Sequence, residues 1–317
     1  MACVTDIRQV DADRIELLIE CCIQAYNAFS KKTAAACDRA RVTAPQGYEL
    51  LDAWTGIDSV FGRDKTAETY GLVFRSTAAP WRYVFAFRGT DSALDMLDDC
   101  GIEPQPFVAY DRSIGVPSSV KVESGFNDIY KTAGGTQASM QQQLFALVDS
   151  YQSSDKPIDE LIVTGHSLGA ALSQLFTLDL GLSRPSITVT NINFASPRVG
   201  NKAFVRYFEQ QAPCSTLRVQ NAYDAVPHLP PAELGFQHTP CVYLVAFYST
   251  NLLGKIDLLA NHSSINYQAV IACAGNNGTG VCSTKHLRVS EGKAPLRSQR
   301  PIARIGHLSA GHLAGAQ

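Results

Sequence analysis

A glycine–x–serine–x–glycine pattern is the feature of this sequence that most clearly offers chemistry: Gly-His-Ser-Leu-Gly at 165–169. The β-branched run Leu-Ile-Val-Thr at 161–164 predicts a buried strand before it, and the small and apolar residues after it predict a helix over about 167–180. A serine in such a sharp turn exposes its hydroxyl above the sheet, and the free N–H groups of the helix N-terminus can stabilise an oxyanion. We therefore predict that Ser167 is a nucleophile and that its neighbour His166 shapes the turn.

A serine hydroxyl becomes strongly nucleophilic when a histidine takes its proton, so the histidines after Ser167 are candidates for the base. Four of them follow the plausible acids: His262, His286, His307 and His312. His262 stands between a predicted strand ending near Tyr248 and a predicted helix over 264–274, where a loop histidine can reach the carboxyl edge of the sheet. We predict His262 as the base and keep His286 as the alternative.

The histidine in turn needs a carboxylate that fixes its tautomer and stabilises its charged form. Asp224 follows a predicted strand over 216–220, in the segment NAYDAVPHLPP, whose prolines stiffen the loop. Asp179 is the main rival, but it comes late in the helix after Ser167 and should point away from the nucleophile. We predict Asp224 as the acid.

Strands and helices alternate around these residues. The predicted helices cover about 11–29, 126–151 with a break at Gly134-Gly135, 167–180, 202–210 and 264–274. The predicted strands cover about 70–74, 83–87, 161–164, 187–194, 216–220 and 242–248. Such alternation predicts an α/β fold with a mostly parallel sheet and helices on both faces. We expect a single domain over 1–286 and a loosely ordered C-terminal tail over 287–317.

Six segments of the sequence, taken in their order along the chain, form a pattern that is more specific than the serine turn alone. They are FRGTDSALDMLDD (87–99), VESGFNDIY (122–130), VTGHSLGAALSQL (163–175), NFASPRVGN (193–201), NAYDAVPHLPP (221–231) and the segment around His262. Together they resemble the class 3 lipases, the fungal-lipase-like branch of the α/β hydrolases, from about Tyr70 to Tyr267. The resemblance implies an α/β-hydrolase fold with a short lid.

The resemblance also implies roles for individual residues. It supports Ser167, Asp224 and His262 as a catalytic triad. It implies that Thr90 supplies one donor to an oxyanion hole and that the backbone N–H of Leu168 supplies the other. Removing one such donor typically costs about 10²–10³ in rate.

The lid implied by the resemblance lies near 92–98. Its apolar side would consist of Ala93, Leu94, Met96 and Leu97, with Asp91, Asp95 and Asp98 on the wet side. Such a segment can cover an apolar site in water and open at a lipid surface, but the same pattern also fits a simple surface helix. The family usually has a tryptophan in the lid where this chain has Met96. The aromatic residue that commonly follows the catalytic histidine closely is here Tyr267.

These residues predict a serine ester hydrolase, a lipase or carboxylesterase, that forms an acyl-enzyme on Ser167 and needs neither a metal nor an organic cofactor. The expected partner is an ester or lipid substrate, including one presented at a lipid–water interface. A phospholipase A1 or a feruloyl-type esterase would use the same fold and triad. A lipase-like binding protein without turnover is the alternative from another class, and the complete set of catalytic parts argues against it.

Composition narrows the partners. The 317 residues include 27 basic and 29 acidic ones, so the near balance of charge argues against a nucleic-acid binder. No apolar run has the length of a transmembrane helix, and charged residues interrupt the N-terminus where a signal peptide would be apolar. We therefore expect either a cytoplasmic protein or a mature secreted form.

Nine cysteines leave the redox state open. Cys273 and Cys282 flank a turn rich in glycine and asparagine and could close a small disulfide loop in an oxidising compartment. Buried free thiols are an equal alternative. No Cys-x-x-Cys pair occurs, which argues against a zinc site.

Overall fold

A computed structural model describes residues 11–29, 37–57, 67–90, 103–211, 215–247 and 257–277. Its strands are β1 (Tyr48–Ile57), β2 (Ala67–Ser76), β3 (Arg82–Phe87), β4 (Pro104–Pro106), β5 (Lys121–Glu123), β6 (Glu160–His166), β7 (Val189–Phe194), β8 (Gly200–Asn201), β9 (Ser215–Asn221), β10 (Phe236–Gln237) and β11 (Val242–Val245). Its helices are α1 (Ala12–Asn27), α2 (Ser124–Lys131), α3 (Met140–Gln152), α4 (Leu168–Ser183), α5 (Lys202–Gln211), α6 (Leu258–His262) and α7 (Ser264–Asn277).

Seven strands form the central sheet in the order β1-β2-β3-β6-β7-β9-β11. The first three are antiparallel neighbours, and every pair from β3 to β11 is parallel. The parallel strands are the buried apolar runs, which is why their sequences predicted them. The prediction of a mostly parallel sheet is confirmed. Since parallel strands end at the same edge, the segments after β3, β6 and β9 are brought together there.

Helices cover both faces of this sheet, as predicted. On one face, α2, α3, α4 and α5 pack over a large apolar core that includes Phe85, Phe145 and Phe176. On the other face, α1 and α7 bury a second core against the sheet. The apolar stripe of α1, with Ile15, Leu18, Ile19 and Cys22, recurs at helical spacing and faces this second core.

The helix predicted over 126–151 is two helices, because the chain turns at the glycine pair. Gly134 and Gln137 form an isolated antiparallel bridge between α2 and α3. Ser139 then starts α3 with a capping box, in which its hydroxyl accepts from the Gln142 amide and the Gln142 side chain accepts from the Ser139 amide.

Two parts of the fold were not predicted. The edge strand β1 is mostly half-buried and mixes polar with apolar residues, so it lacks the continuous apolar run of a central strand. A second sheet, in the order β10-β8-β5-β4, is built from strands of two or three residues, too short to show a period. The predicted lid at 92–98 and tail at 287–317 lie outside the described residues, as does Cys282.

The described cysteines include free thiols and a disulfide-bonded residue, the two alternatives that the sequence leaves open. Cys21 and Cys22 are buried free thiols on α1, and Cys37 is a half-buried free thiol. Cys241 is disulfide-bonded. Within the described ranges, no helix is both long and apolar enough to cross a membrane.

Candidate active site

The serine turn joins β6 directly to α4. Ser167 has φ 61° and ψ −131°, a strained conformation for a residue with a side chain, and its amide donates to the Phe194 carbonyl at 3.0 Å. A Cβ on Gly169 would lie 2.5 Å from the Arg88 carbonyl oxygen, and a Cβ on Gly165 would collide with the Gly169 backbone. The two glycines are therefore required by close backbone approach, Gly165 to the turn itself and Gly169 to the end of β3.

The structure brings Ser167, His262 and Asp224 into one hydrogen-bonded chain. His262 Nε2 lies 2.8 Å from the Ser167 Oγ, and His262 Nδ1 lies 2.8 Å from Asp224 Oδ2. All three residues are buried. With its Nδ1–H donated to the carboxylate, the imidazole has a free lone pair on Nε2 to which the serine hydroxyl can donate. The position of His262 between two predicted elements indicates a loop residue. In the structure it is instead the last residue of the short helix α6.

The carboxylate of Asp224 is held from three directions. Its Oδ1 accepts from the Val226 amide at 3.0 Å, and its Oδ2 accepts from the Tyr267 hydroxyl at 2.9 Å as well as from His262. Burial, followed by the nearby Asp224 charge, raises the pKa of Tyr267 well above its usual range, so the hydroxyl keeps its proton. The tyrosine oxygen also accepts from the Asn221 amide at 2.7 Å. Sequence reasoning noted Tyr267 only as an aromatic residue and missed this bond.

His166 supports the site from behind the nucleophile. Its Nε2 lies 2.9 Å from the His262 carbonyl oxygen, and its Nδ1 lies 2.9 Å from the Tyr26 hydroxyl. Burial, and then the neighbouring His262, lowers the pKa of His166 well below its usual range. The ring is therefore neutral, and α1 reaches the site through Tyr26, a connection that no sequence pattern indicated.

The two residues predicted to donate to an oxyanion lie near Ser167. One is its neighbour in sequence, and the other belongs to the segment that packs against it. Leu168 is the first residue of α4, where a backbone N–H has no partner within the helix. Thr90 follows Gly89, and a Cβ on Gly89 would lie 2.8 Å from the Ser167 Cβ. The Thr90 Oγ1 is buried and has no hydrogen-bond partner in the part of the chain that the structure describes. The four predicted lid residues, Ala93, Leu94, Met96 and Leu97, lie outside the described residues.

The rival acid Asp179 belongs to a different cluster. Its carboxylate accepts from the Tyr110 amide at 2.6 Å, from the Tyr130 hydroxyl at 2.9 Å and from the Gln141 amide group at 2.6 Å. It is fully buried beneath α2 and α3. None of these hydrogen bonds reaches Ser167, His262 or Asp224. The rival base His286 lies outside the described residues.

Comparisons with known proteins concern the family and the fold of this chain. Residues 84–234 match the family model described as Lipase (class 3). This match and the relatives of the chain support the class 3 lipase family that its motifs resemble. Among its relatives, the protein named Phospholipase A1-II 3 from Oryza sativa subsp. japonica is 34% identical over 47% of this chain and 39% of that protein. A protein named Lipase from Rhizomucor miehei is 33% identical over 54% of this chain and 43% of that protein.

The structural comparison gives the same fold. The solved structure described as the native Rhizomucor miehei lipase propeptide complex superposes with a TM-score of 0.54 at 25% identity, over 74% of this chain and 69% of that chain. The predicted α/β-hydrolase fold is thereby confirmed. The chain spans about two fifths of the length of the relatives matched by sequence. Among the described residues, no group of histidine, cysteine or acidic side chains could hold a metal ion.

Proposed function

We propose that this protein is a serine ester hydrolase, a lipase that cleaves carboxylic esters through an acyl-enzyme on Ser167. The observation that carries the proposal is the continuous chain from the Ser167 Oγ through His262 to Asp224, with both links at 2.8 Å. Ser, acid and His follow one another along the sequence in the order typical of α/β hydrolases. The match to the class 3 lipases supports the same activity.

In the first half of the reaction, His262 Nε2 takes the proton of Ser167 as the Oγ attacks the ester carbonyl carbon. The C=O electrons move onto the carbonyl oxygen, and Asp224 stabilises the imidazolium across the 2.8 Å bond to Nδ1. The carbonyl re-forms as the C–O bond to the alcohol breaks, and His262 gives its proton to the leaving alkoxide. In the second half, water attacks the acyl-enzyme by the same route and releases the acid.

The oxyanion formed in both halves needs donors that are already in place. The proposal assigns this role to Thr90 and to the backbone N–H of Leu168. The buried Thr90 Oγ1 without a described partner supports the assignment, because an unpaired buried hydroxyl is costly unless a ligand completes it. The N-terminus of α4 adds the positive end of a helix dipole.

The substrate we propose is a lipid ester presented at a lipid–water interface. Three large apolar side chains stand exposed next to the triad along the chain: Tyr223, Leu258 and Ile265. Tyr223 precedes Asp224, while Leu258 and Ile265 lie within four residues of His262. Exposed apolar residues around a site favour contact with an apolar surface. A phospholipase A1 is the second candidate, because a relative of this chain carries that name.

Hydrolysis of p-nitrophenyl esters of graded chain length tests the mechanism. We expect Ser167→Ala and His262→Ala to lose nearly all turnover while keeping the thermal unfolding midpoint of the wild type. Ser113→Ala, which alters an exposed serine in a surface turn, is the control. Equal rates in wild type and Ser167→Ala would exclude the mechanism. Retained turnover in His262→Ala would transfer the role of the base to His286.

Rates measured on emulsions distinguish the two candidate substrates, a triglyceride and a phospholipid. We expect the rate on a short triglyceride to rise sharply above its solubility limit, and a smooth saturating curve through that limit would indicate an esterase that acts on dissolved substrate. Fatty acid release from phosphatidylcholine at a rate exceeding that from triglyceride would favour the phospholipase A1.

A further inference from the structure

Arg88, the residue directly after β3, is fully buried and makes bonds in three directions. Its Nε donates to the Thr69 carbonyl, its Nη1 donates to the Gly89 carbonyl at 2.8 Å, and its Nη2 pairs with the Glu68 carboxylate at 2.5 Å. Two of these partners belong to β2, the neighbouring strand. The third is the carbonyl of the residue that precedes Thr90.

Two aromatic rings hold the guanidinium of Arg88 in place. Its Cζ lies 3.9 Å from the centre of the Phe29 ring, at the end of α1, and 4.7 Å from the centre of the Tyr70 ring. A planar guanidinium gains from stacking on aromatic faces and presents its N–H groups in a fixed fork. The side chain is therefore rigid, and so is the Gly89 carbonyl that it binds.

The direction of the Gly89 carbonyl decides the direction of the next N–H. In a trans peptide the C=O of Gly89 and the N–H of Thr90 point in opposite directions, so fixing the oxygen also fixes the amide and the Cα of Thr90, which carries the side-chain hydroxyl. Gly89 itself is pressed against the nucleophile, because a Cβ there would lie 2.8 Å from the Ser167 Cβ and 2.9 Å from the His166 carbonyl oxygen. The peptide is thus bonded to Arg88 and lies directly against Ser167.

We propose that Arg88 is a positioning residue for the oxyanion hole, because its bond to the Gly89 carbonyl aims residue 90 at the site where the oxyanion forms. This rests on the proposed function. Arg88 touches no reacting atom and acts through the peptide that joins Gly89 to Thr90. An oxyanion donor is effective only when it is preorganised, so loss of the Arg88 bond should slow the chemical step more than substrate binding.

Arg88→Lys tests this, because lysine keeps the charge but cannot donate to three acceptors in a fixed plane. We expect kcat on a soluble p-nitrophenyl ester to fall about tenfold or more, with KM within about twofold of the wild type. The affinity for a trifluoromethyl ketone, which forms a tetrahedral oxyanion with the serine, should fall by a similar factor. An unchanged kcat in a folded Arg88→Lys protein overturns the inference.

Arg75→Lys is the matched control. Arg75 lies on the same sheet, pairs with Glu49 at 2.6 Å and stacks near Trp81 and Tyr83, but it is remote from the serine turn. Its substitution should leave kcat and inhibitor affinity unchanged. Equal losses in the two lysine variants would show a general effect of changing an ion-paired arginine on the sheet and would overturn the inference.

A double-mutant cycle separates positioning from stability. If Arg88 acts through residue 90, Arg88→Lys combined with Thr90→Val should lose less than the product of the two single losses in kcat. Strict multiplication of the two losses contradicts the inference. Should Arg88→Lys fail to fold, Glu68→Gln alters the partly exposed partner of Arg88 instead. It should lower kcat by about threefold, and an unchanged kcat counts against the inference.

The wild type separates this inference from the proposed function. If the wild type shows no hydrolysis that depends on Ser167, the proposed function fails and the inference fails with it. If the wild type hydrolyses esters through Ser167 and Arg88→Lys matches it, the inference alone fails.

Discussion

His166 donates a hydrogen bond from Nε2 to the main-chain carbonyl oxygen of His262, 2.9 Å away. Since His166 is neutral and this nitrogen carries its proton, the other ring nitrogen, Nδ1, accepts from the Tyr26 hydroxyl at 2.9 Å. The proton arrangement is thus fixed from α1 to the backbone of the proposed base. The residue next to Ser167 thus binds the backbone of the histidine that we propose as its base.

Tyr26→Phe should weaken this support without removing any proposed catalytic group. The phenylalanine keeps the ring that packs edge-on against His166 but leaves the buried Nδ1 without its donor. We expect the free energy of unfolding to fall by about 1–3 kcal/mol, the cost of an unpaired buried polar atom. We expect kcat on a soluble ester to fall several-fold, because the His262 backbone is held less firmly. Urea unfolding and steady-state kinetics measure the two effects.

Tyr83→Phe is the control for this prediction. The Tyr83 hydroxyl donates to the Lys156 carbonyl at the opposite end of the sheet, so its loss should cost stability but not activity. If the two variants have equal kcat, the bond from Tyr26 to His166 plays no part in positioning His262.

The sequence predicted the central parallel strands and the order of Ser167, Asp224 and His262 because both leave local signals. A buried strand is a continuous apolar run, and the serine turn has a fixed pattern of glycines. The support for these residues is not local. Tyr26 meets His166 across 140 positions and Tyr267 meets Asp224 across 43, and neither residue type nor spacing indicates which tyrosine on a helix will face the site.

The position of Asp179 shows a second limit of the sequence. Its place in the helix correctly directed it away from the nucleophile, but the donors that surround it come from residues 110, 130 and 141. The same holds for β1, which becomes a strand because β2 offers it a ladder and not because its own residues alternate clearly. Such features depend on tertiary packing between distant parts of the chain, which a local sequence pattern does not indicate.

Acid should destabilise the fold through buried neutral histidines. His238 donates from Nε2 to the Pro227 carbonyl at 2.8 Å, and burial, with Arg218 next in effect, lowers its pKa well below the usual range. As pH falls below about 6.5, the unfolded chain binds a proton that the folded chain refuses, so stability is lost. We expect the loss from this group to steepen as the pH falls below 6.5, toward a limit of about 1.4 kcal/mol per pH unit.

Urea unfolding of wild type and His238→Gln at several pH values measures this loss. The glutamine can still donate to Pro227 but cannot take up a proton, so the fall in stability with acid should be shallower in the variant. His228→Gln is the graded control, because His228 is less buried and should change the slope less. Parallel stability curves for wild type and His238→Gln would contradict the prediction.

Glu123 should act in the opposite direction. It caps α2, with Oε1 accepting from the Gly125 amide at 2.9 Å and Oε2 from the Phe126 amide at 2.7 Å, yet burial raises its pKa to about 7. The folded state therefore holds the proton more tightly than the unfolded state. The stability it contributes is complete below about pH 4.5 and is lost as pH rises through 7, on the order of 3 kcal/mol in all.

Comparing Glu123→Gln with wild type measures this pH-dependent contribution of Glu123 to stability. The free energy of unfolding of the variant relative to wild type should rise between pH 4.5 and 7.5, because glutamine resembles the protonated acid at every pH. Glu209→Gln removes an exposed carboxylate and controls for the change in net charge. A constant difference between Glu123→Gln and wild type across this range would show that the two amide bonds outweigh burial.

The two buried aspartates of the described part of the chain should separate activity from stability. Asp224→Asn still accepts from the Val226 amide but presents no charge to His262, and we expect kcat to fall by about 10³–10⁴ in a folded protein. Asp179→Asn replaces one carboxylate oxygen by an NH2 group, so either the Tyr110 amide, which donates to Oδ1, or the Tyr130 and Gln141 groups, which donate to Oδ2, lose their acceptor. This should cost about 1–3 kcal/mol of unfolding free energy. Its kcat, measured per serine titrated with a phosphonate, should stay within about twofold of wild type, because none of its bonds reaches the triad. The reverse result, with turnover lost in Asp179→Asn and kept in Asp224→Asn, would exchange the roles of the two carboxylates.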